Sequence, residues 1–348
     1  MSITTRHISD FIEKWAPNAT KLEYDNTGLL SGNLNKHISK VLTCLDVTDA
    51  VIDEAISENV DLIVSHHPLI FPKIQRITES DPTGRLLRKL IRSDIDLIAA
   101  HTNLDAARNG VSFELAKQLG LNHIHFLDQQ YKSLKVVVLR FPARLRDDVQ
   151  LLLSTYNFDT GWSTEENNIQ VARFNYDGYR LPALQDRIHD LVDGAPYSID
   201  IFPSENPSLE FGFGAIGDLD SPMNADSFIE MVSEKLESRA LRFSGNPSAL
   251  TIRTVAVCGG SGVSLAKTAW KQGADAFITA DIKYHEFFIP EGKLLIDAGH
   301  YETEVCIVRH LANEISQAFP ELEVIPTSVN TNPVYGLVHT ESSKTSTL

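Results

Sequence analysis

Three short apolar runs, each ending in histidine, constrain this chain more than any other feature. Asp61-Leu-Ile-Val-Ser65 ends at His66-His67, Asp96-Leu-Ile-Ala-Ala100 at His101, and Leu294-Leu-Ile-Asp297 at Gly299-His300. Short runs without alternation fit strands buried on both faces, as in a parallel sheet. Neighbouring parallel strands end on the same edge, so side chains just past those ends can converge on one crevice although far apart in sequence. Carboxylates accompany the imidazoles: Asp105 follows His101 by four residues, and Glu304 follows His300 by four. Clustered His, Asp and Glu without cysteine suits zinc, iron or manganese.

The rest of the chain supplies the scaffold that such a crevice needs. Residues 5 to 15 place Ile8, Phe11, Ile12 and Trp15 on one face of an opening helix, and the turn-rich Asp25-Asn-Thr-Gly28 follows. Next come the strand pattern Lys40-Val-Leu-Thr-Cys-Leu-Asp46, helical spacing from Asp49 to Glu58, the strand before His66, a helix from Gly84 to Ser93 and the strand before His101. Alternation at this spacing predicts βαβ units. Near residue 130 the pattern changes. Strands over Ser133 to Phe141 and Ile169 to Tyr176, helices over Leu145 to Tyr156 and Leu184 to Val192, and polar linkage at 163 to 168 describe a small α+β insert over 130–210. It holds no candidate ligand cluster, and His189 falls on the surface of its second helix. Beyond about residue 212 the core grammar resumes: Thr254 to Cys258 enters Gly259-Gly-Ser-Gly262 and a helix from Val263, Ala276-Phe-Ile-Thr279 ends at Asp281, and a helix runs from Tyr301 to about Ala318. The expected architecture is α/β, a mainly parallel core sheet flanked by helices and built from two similar halves. It spans 1–128 and 212–338, with a disordered tail over 339–348.

Composition excludes several classes of function. With 348 residues, 43% of them hydrophobic, the chain has ample material for a core and for two domains. A formal net charge of -15 argues against an extended phosphate-binding face, and so against nucleic acid as a partner. Two divalent ions in a carboxylate-lined pocket would still supply local positive charge. The three cysteines, Cys44, Cys258 and Cys306, lie in apolar runs without metal-site spacing, which fits reduced thiols in the cytoplasm. Met1 to Pro17 holds no signal-like apolar stretch and no run approaches membrane-spanning length, so no membrane partner is expected.

Each motif carries a bland reading beside the chemical one. His66-His67 could be two polar turn residues before Pro68; because adjacent side chains diverge, joint metal binding asks for two ions or a bent turn. Asn103 and Asp105 could simply cap a helix, whereas the acidic Asp105 after a matching strand favours a ligand, with His101 either a ligand or a partner of one. In His300-Tyr-Glu-Thr-Glu304 the four-residue spacing puts His300 and Glu304 on one helical face, favouring Glu304 over Glu302. Asp281-Ile-Lys-Tyr-His285 offers a general acid or base, a substrate hydrogen bond or an ordinary cap. Gly259-Gly-Ser-Gly262 could cradle an anion at a helix start, but it lacks nucleotide-loop spacing and is equally a tight turn.

Taken together, Asp25-Asn-Thr-Gly-Leu29, Leu45-Asp-Val-Thr48, Ser65-His-His-Pro-Leu-Ile-Phe71, His101-Thr-Asn-Leu-Asp105, Gly259-Gly-Ser-Gly262, Asp281-Ile-Lys-Tyr-His285 and Gly299-His-Tyr-Glu-Thr-Glu304 resemble the Nif-three-like dinuclear-metal family, the GTP cyclohydrolase I type-two homologs. The motifs come in the family's order across about residues 5–128 and 212–338. The resemblance implies His66, His67, Asp105, His300 and Glu304 as ligands of two divalent metal ions per subunit, with Glu304 bridging both. It implies a PII/CutA-type ferredoxin-like insert, matched at Ala195 to Pro203, and a toroidal homohexamer. The expected activity is dinuclear-metal-dependent hydrolysis with a metal-bridged hydroxide as nucleophile, GTP or another small anionic or phosphoester substrate, and His101 or His285 shuttling protons. The alternative is a non-catalytic metal-binding ring that serves as scaffold, carrier or regulator.

Overall fold

The structure, a computed structural model, describes residues 2–71, 74–129, 134–156, 158–206 and 210–336. The proposed tail over 339–348 lies outside them. Two compact units divide the chain: Met1–Asp128 with Phe213–Leu348, and Gln129–Gly212. The first is a mixed α/β unit with two sheets in place of the one core sheet expected from sequence.

In the first sheet the strands Lys40–Cys44, Leu62–Ser65 and Asp96–Ala99 run parallel and adjacent, with Glu323–Pro326 parallel on one side and Gly28–Ser31 antiparallel on the other. In the second, Thr251–Val257, Ala276–Thr279 and Leu294–Asp297 run parallel, flanked by the antiparallel Arg242–Ser244 at one edge and by Gly212–Asn224 and Asn122–Gln129 at the other. Every residue of Leu62–Ser65, Asp96–Ala99, Ala276–Thr279 and Leu294–Asp297 is buried, because helices or loops cover both faces. This two-sided burial explains the apolar triplets Leu62–Val64, Leu97–Ala99, Ala276–Ile278 and Leu294–Ile296 within them.

Helices begin and end where side chains satisfy their loose backbone groups. Thr48 accepts from Val51 N at the start of Asp49–Ser57, Asp81 accepts from Gly84 N at 2.6 Å before Pro82–Arg92, and Gly120 closes Val111–Leu119 in the left-handed conformation. Two helices tie the sheets together. Cys306–Ala318 packs on Lys40–Cys44 of the first sheet and on Val111–Leu119, which in turn packs on Thr251–Val257 of the second. A buried bond from Thr43 Oγ1 to Val308 O, 2.8 Å, fixes that packing across 265 residues of sequence. The single helix expected from Tyr301 to Ala318 is in fact two, His300–Glu304 and Cys306–Ala318, broken at Val305.

The second unit runs strand, helix, strand, strand, helix, strand. Its antiparallel sheet has the order Gly161–Glu165, Ile169–Asp177, Leu134–Pro142, Ser198–Pro203, with Arg146–Ser154 and Leu181–Val192 packed on one face. Gly161–Glu165 overlaps the stretch expected to be linkage. His189 is exposed on the second helix, its Nδ1 3.1 Å from the Tyr197 hydroxyl.

Phe277, fully buried between strands and Trp270 in the second sheet, is a sensitive reporter of this core. Phe277→Ala is expected to cost about 3–5 kcal/mol, whereas Ile91→Ala, at a side chain 61% exposed, should stay within about 0.5 kcal/mol. Urea denaturation midpoints of the two variants check this, and equal midpoints would contradict the assigned packing.

Candidate metal centre

Six parallel strands deliver their carboxyl ends to one region of the first unit. His66 and His67 follow Leu62–Ser65, His101 follows Asp96–Ala99, Asp46 follows Lys40–Cys44, Gly259 and Gly260 follow Thr251–Val257, Asp281 follows Ala276–Thr279, and His300 opens the helix after Leu294–Asp297. The ladder continues into the site, since His66 N donates to Cys44 O at 3.0 Å and His67 N to Leu45 O at 2.9 Å. Backbone pairing therefore fixes where these two side chains leave the chain.

All four imidazoles are held at the same ring atom. Nδ1 of His66 lies 2.8 Å from Ala100 O, that of His67 2.7 Å from Asp46 Oδ1, that of His101 2.8 Å from Asp25 Oδ1, and that of His300 2.7 Å from Asp281 Oδ2. A carbonyl or carboxylate oxygen can only accept, so each Nδ1 donates and Nε2 is left facing inward. Asp25 is buried and also accepts from Thr102 N at 3.0 Å and Thr102 Oγ1 at 2.5 Å. Burial alone would raise its pKa, yet its bonds to His101 and Thr102 hold it far below the usual carboxylate range. Asp46 is braced by Thr331 Oγ1 at 2.8 Å.

Glu304 occupies the middle. It is 3% exposed, and its Oε2 lies 3.0 Å from His67 Nε2, 3.1 Å from His300 Nε2 and 3.8 Å from His66 Nε2. Two overlapping groups, His66 with His67 and His101, and His67 with His300 and Glu304, each bring their ligand atoms within 4.8 Å of one another, a spacing that could hold a metal ion. Asp105 closes the other side, its Oδ1 3.6 Å from His66 Nε2. The room for Glu304 comes from glycine. Gly260 has φ +58, and a Cβ there would lie 2.2 Å from Glu304 Oε1.

The donor set fits cations. His66 Nε2 and Asp105 Oδ1 are buried and have no hydrogen-bond partner, so a lone pair faces a carboxylate oxygen with no proton donor between them. Burial pushes His66 down to about 3, which keeps it neutral at pH 7. Burial, then the charge of Glu304, pushes Asp105 well above its ordinary value. On His67 burial opposes charge, but bonds to Asp46 and Glu304 outweigh it and lift the pKa to about 10; Glu304 and Asp281 likewise overcome burial and lift His300 to about 9. Glu304 is held well below the ordinary range, because bonds from His300 and His67 prevail over its burial. Protons on His67 and His300 thus occupy the positions that a divalent cation would take.

All the residues read from sequence as ligands meet here, and His101 joins them. His285 does not. It is exposed, its ring packs on Tyr284 at 5.2 Å, and it belongs to neither ligand group; the chain turns at Asp281, φ +56, whose carboxylate meets His300. The glycine loop also departs from the anion-cradle reading: Gly260 N donates to Thr303 Oγ1 at 3.0 Å and Gly262 N to Thr279 Oγ1 at 2.8 Å. Glu302 turns away from the cluster and accepts from Asn332 Nδ2 at 2.9 Å. Sequence reasoning gave no role to Asp25 or Asp46. Their signals were position, at a turn and just past a strand end, and membership of two motifs that carry the family resemblance.

A family model for Duf34/NIF3 (NGG1p interacting factor 3) matches residues 3–333. The chain belongs to the Duf34/NIF3 family. Its Duf34/NIF3 relatives include a protein of Bacillus subtilis (strain 168) named GTP cyclohydrolase 1 type 2 homolog, 29% identical over 369 residues that cover 95% of this chain and 98% of that one. A Staphylococcus epidermidis protein of the same name is 32% identical over 319 residues, covering 81% and 85%. Among solved structures, a Bacillus cereus protein related to NIF3 matches with a TM-score of 0.80 at 28% identity, covering 97% of this chain and all of that one. A Staphylococcus aureus protein matches with a TM-score of 0.81 at 29% identity, covering 97% and 99%.

Cation binding at this centre must expel the protons on His67 and His300, so zinc affinity is expected to climb as pH rises toward about 10. Calorimetric titrations in buffers of different ionisation enthalpy count the protons. Zinc binding at pH 7 with none released would show that these imidazoles are not ligands.

Proposed function

We propose that this chain is a dinuclear-metal-dependent hydrolase of the GTP cyclohydrolase 1 type 2 kind, with His66, His67, Asp105, His300 and Glu304 as ligands and Glu304 shared by two divalent ions of zinc, iron or manganese. The observation that carries the reading is the anchoring of four Nδ1 atoms by oxygen acceptors, with the four imidazoles shared between two overlapping ligand groups that meet at His67. Two cations held there would supply an activated water and polarise the bond under attack.

The protein's own groups account for the remaining chemistry. His101 takes and returns a proton at Nε2, while Asp25 holds its Nδ1–H and stabilises the charged ring. Asp46 and Asp281 fix the tautomers of His67 and His300 and make both rings stronger donors. The burial of His66 and Glu304 limits water around them. A cavity of about 470 Å³ touches His67 and His300, which favours turnover over the alternative of a non-catalytic scaffold, carrier or regulator.

We extend the proposal to the remaining architecture. The parallel strand triplets of the two sheets, each with an antiparallel neighbour beside its third strand, support two similar halves. The element order of unit 129–212 supports a ferredoxin-like insert. A toroidal homohexamer in the cytoplasm completes the reading; among the described residues no helix is long and apolar enough to cross a membrane. Light scattering should return six protomer masses, and a monomer at micromolar concentration would refute the ring.

Protein reconstituted with zinc, iron or manganese should release formate from GTP, or phosphate from a generic ester. Glu304→Ala should lower that turnover by at least about a hundredfold, together with bound metal. Undiminished turnover in the metal-depleted variant would end the hydrolase reading.

A further inference from the structure

Among the described residues, the wall of the cavity beside His300 has one arginine, Arg242, and no lysine, and it carries Asp46, Asp281, Asp297 and Glu302. Arg242 lies on the antiparallel edge strand Arg242–Ser244, directly opposite Asp297 and three strand-end residues from His300. Its guanidinium is fixed on several sides. Nη2 bonds to Asp297 Oδ2 and donates to Ile282 O at 3.1 Å, and the group lies 5.3 Å from the centre of the Phe287 ring. Both bonds leave from Nη2, and neither Nε nor Nη1 makes a hydrogen bond among the described residues. The side chain nevertheless stays 58% exposed. Arginine held rigidly with donors to spare is the usual form of an oxyanion clamp.

The acids around it already have proton donors. Asp46 takes His67 and Thr331, Asp281 takes His300, Asp297 takes Arg242 together with Ile282 N at 3.0 Å, and Glu302 takes Asn332. They fix the wall and leave Arg242, outside the ligand set, with guanidinium donors free for a ligand's charge. The lining also has an apolar part, made by Leu45, Ala240, Ala298, Pro333 and Val334.

We propose that this cavity is the substrate pocket and that Arg242 selects small ligands carrying a phosphate, phosphonate or carboxylate on an apolar or flat body, orienting them toward His67 and His300. The inference deepens the hydrolase reading and rests on it for the identity of the neighbouring centre. It assigns the recognition to a residue outside the ligand set.

Phenylphosphonate, which has no hydrolysable ester, is the probe, and phenol is its neutral counterpart. Calorimetry on the metal-loaded protein should show phenylphosphonate binding, with phenol at least about tenfold weaker. Arg242→Lys keeps a cation for Asp297 but loses the spare guanidinium donors; it should weaken phenylphosphonate by at least about tenfold at unchanged metal content. Ala240→Phe should fill the cavity and abolish binding at unchanged metal content. Wild-type affinity in either variant would overturn the assignment, as would phenylphosphonate binding that vanishes on metal stripping yet ignores Arg242→Lys. Failure of the hydrolase reading is separable, because it shows as missing turnover or metal in the wild type and leaves these affinities to be read independently.

Discussion

Four imidazoles can face one point only if each gives up rotation about its own bonds, and the Nδ1 hydrogen bonds impose that. Rotation of any ring by half a turn would put Cδ2 in the place of Nδ1 and Cε1 in the place of Nε2, breaking a bond to a carbonyl or carboxylate and withdrawing Nε2 from its position. The oxygens that accept these bonds are themselves fixed. Ala100 O closes a strand end, Asp25 is buried under Thr102, Asp46 is braced by Thr331, and Asp281 sits in a left-handed turn. The fold of the core unit can be seen as the means of holding four acceptors in register.

The same constraint explains why two sheets are needed. The first sheet supplies His66, His67, His101 and Asp46, while the second supplies Asp281, His300 and the glycine turn against Glu304. Helices Val111–Leu119 and Cys306–Ala318 lock the sheets together close to the site, and Glu304 ends the short helix two positions before the second of them begins at Cys306. Packing and chemistry are therefore coupled through a single short helix. Its carboxylate can occupy the centre only because residue 260 has no side chain.

Much of this was legible in the residues. Four-residue strands buried on both faces have no alternation to confuse them, so the strand ends at His66, His101 and His300 were visible, and so was the four-residue step to Glu304. The pairing of the strands was less so. Gly212–Asn224 and Asn122–Gln129 join the second sheet across more than eighty residues, and no local pattern reports a partner so distant. The break at Val305 leaves no composition signal, since neighbouring residues on both sides are helical. Asp25, Asp46 and Asp281 resembled ordinary turn and cap residues, because a carboxylate that orients an imidazole has the same sequence as one that caps a helix. His285 drew attention by its place after a strand, as the alternative to His101, but its ring lies exposed against Tyr284.

The continuation of the strand ladder through His66 N and His67 N bears on how an ion enters. These amides belong to the sheet itself, so the cradle exists before any cation arrives. In a classical zinc finger the ion organises an otherwise disordered peptide, and chelation dissolves the domain. Here the ion would come into a finished mould. Uptake would be governed by diffusion, by shedding of the ion's hydration waters and by release of the imidazole protons, and extraction by a chelator would leave the two sheets and their helices standing, ready for exchange.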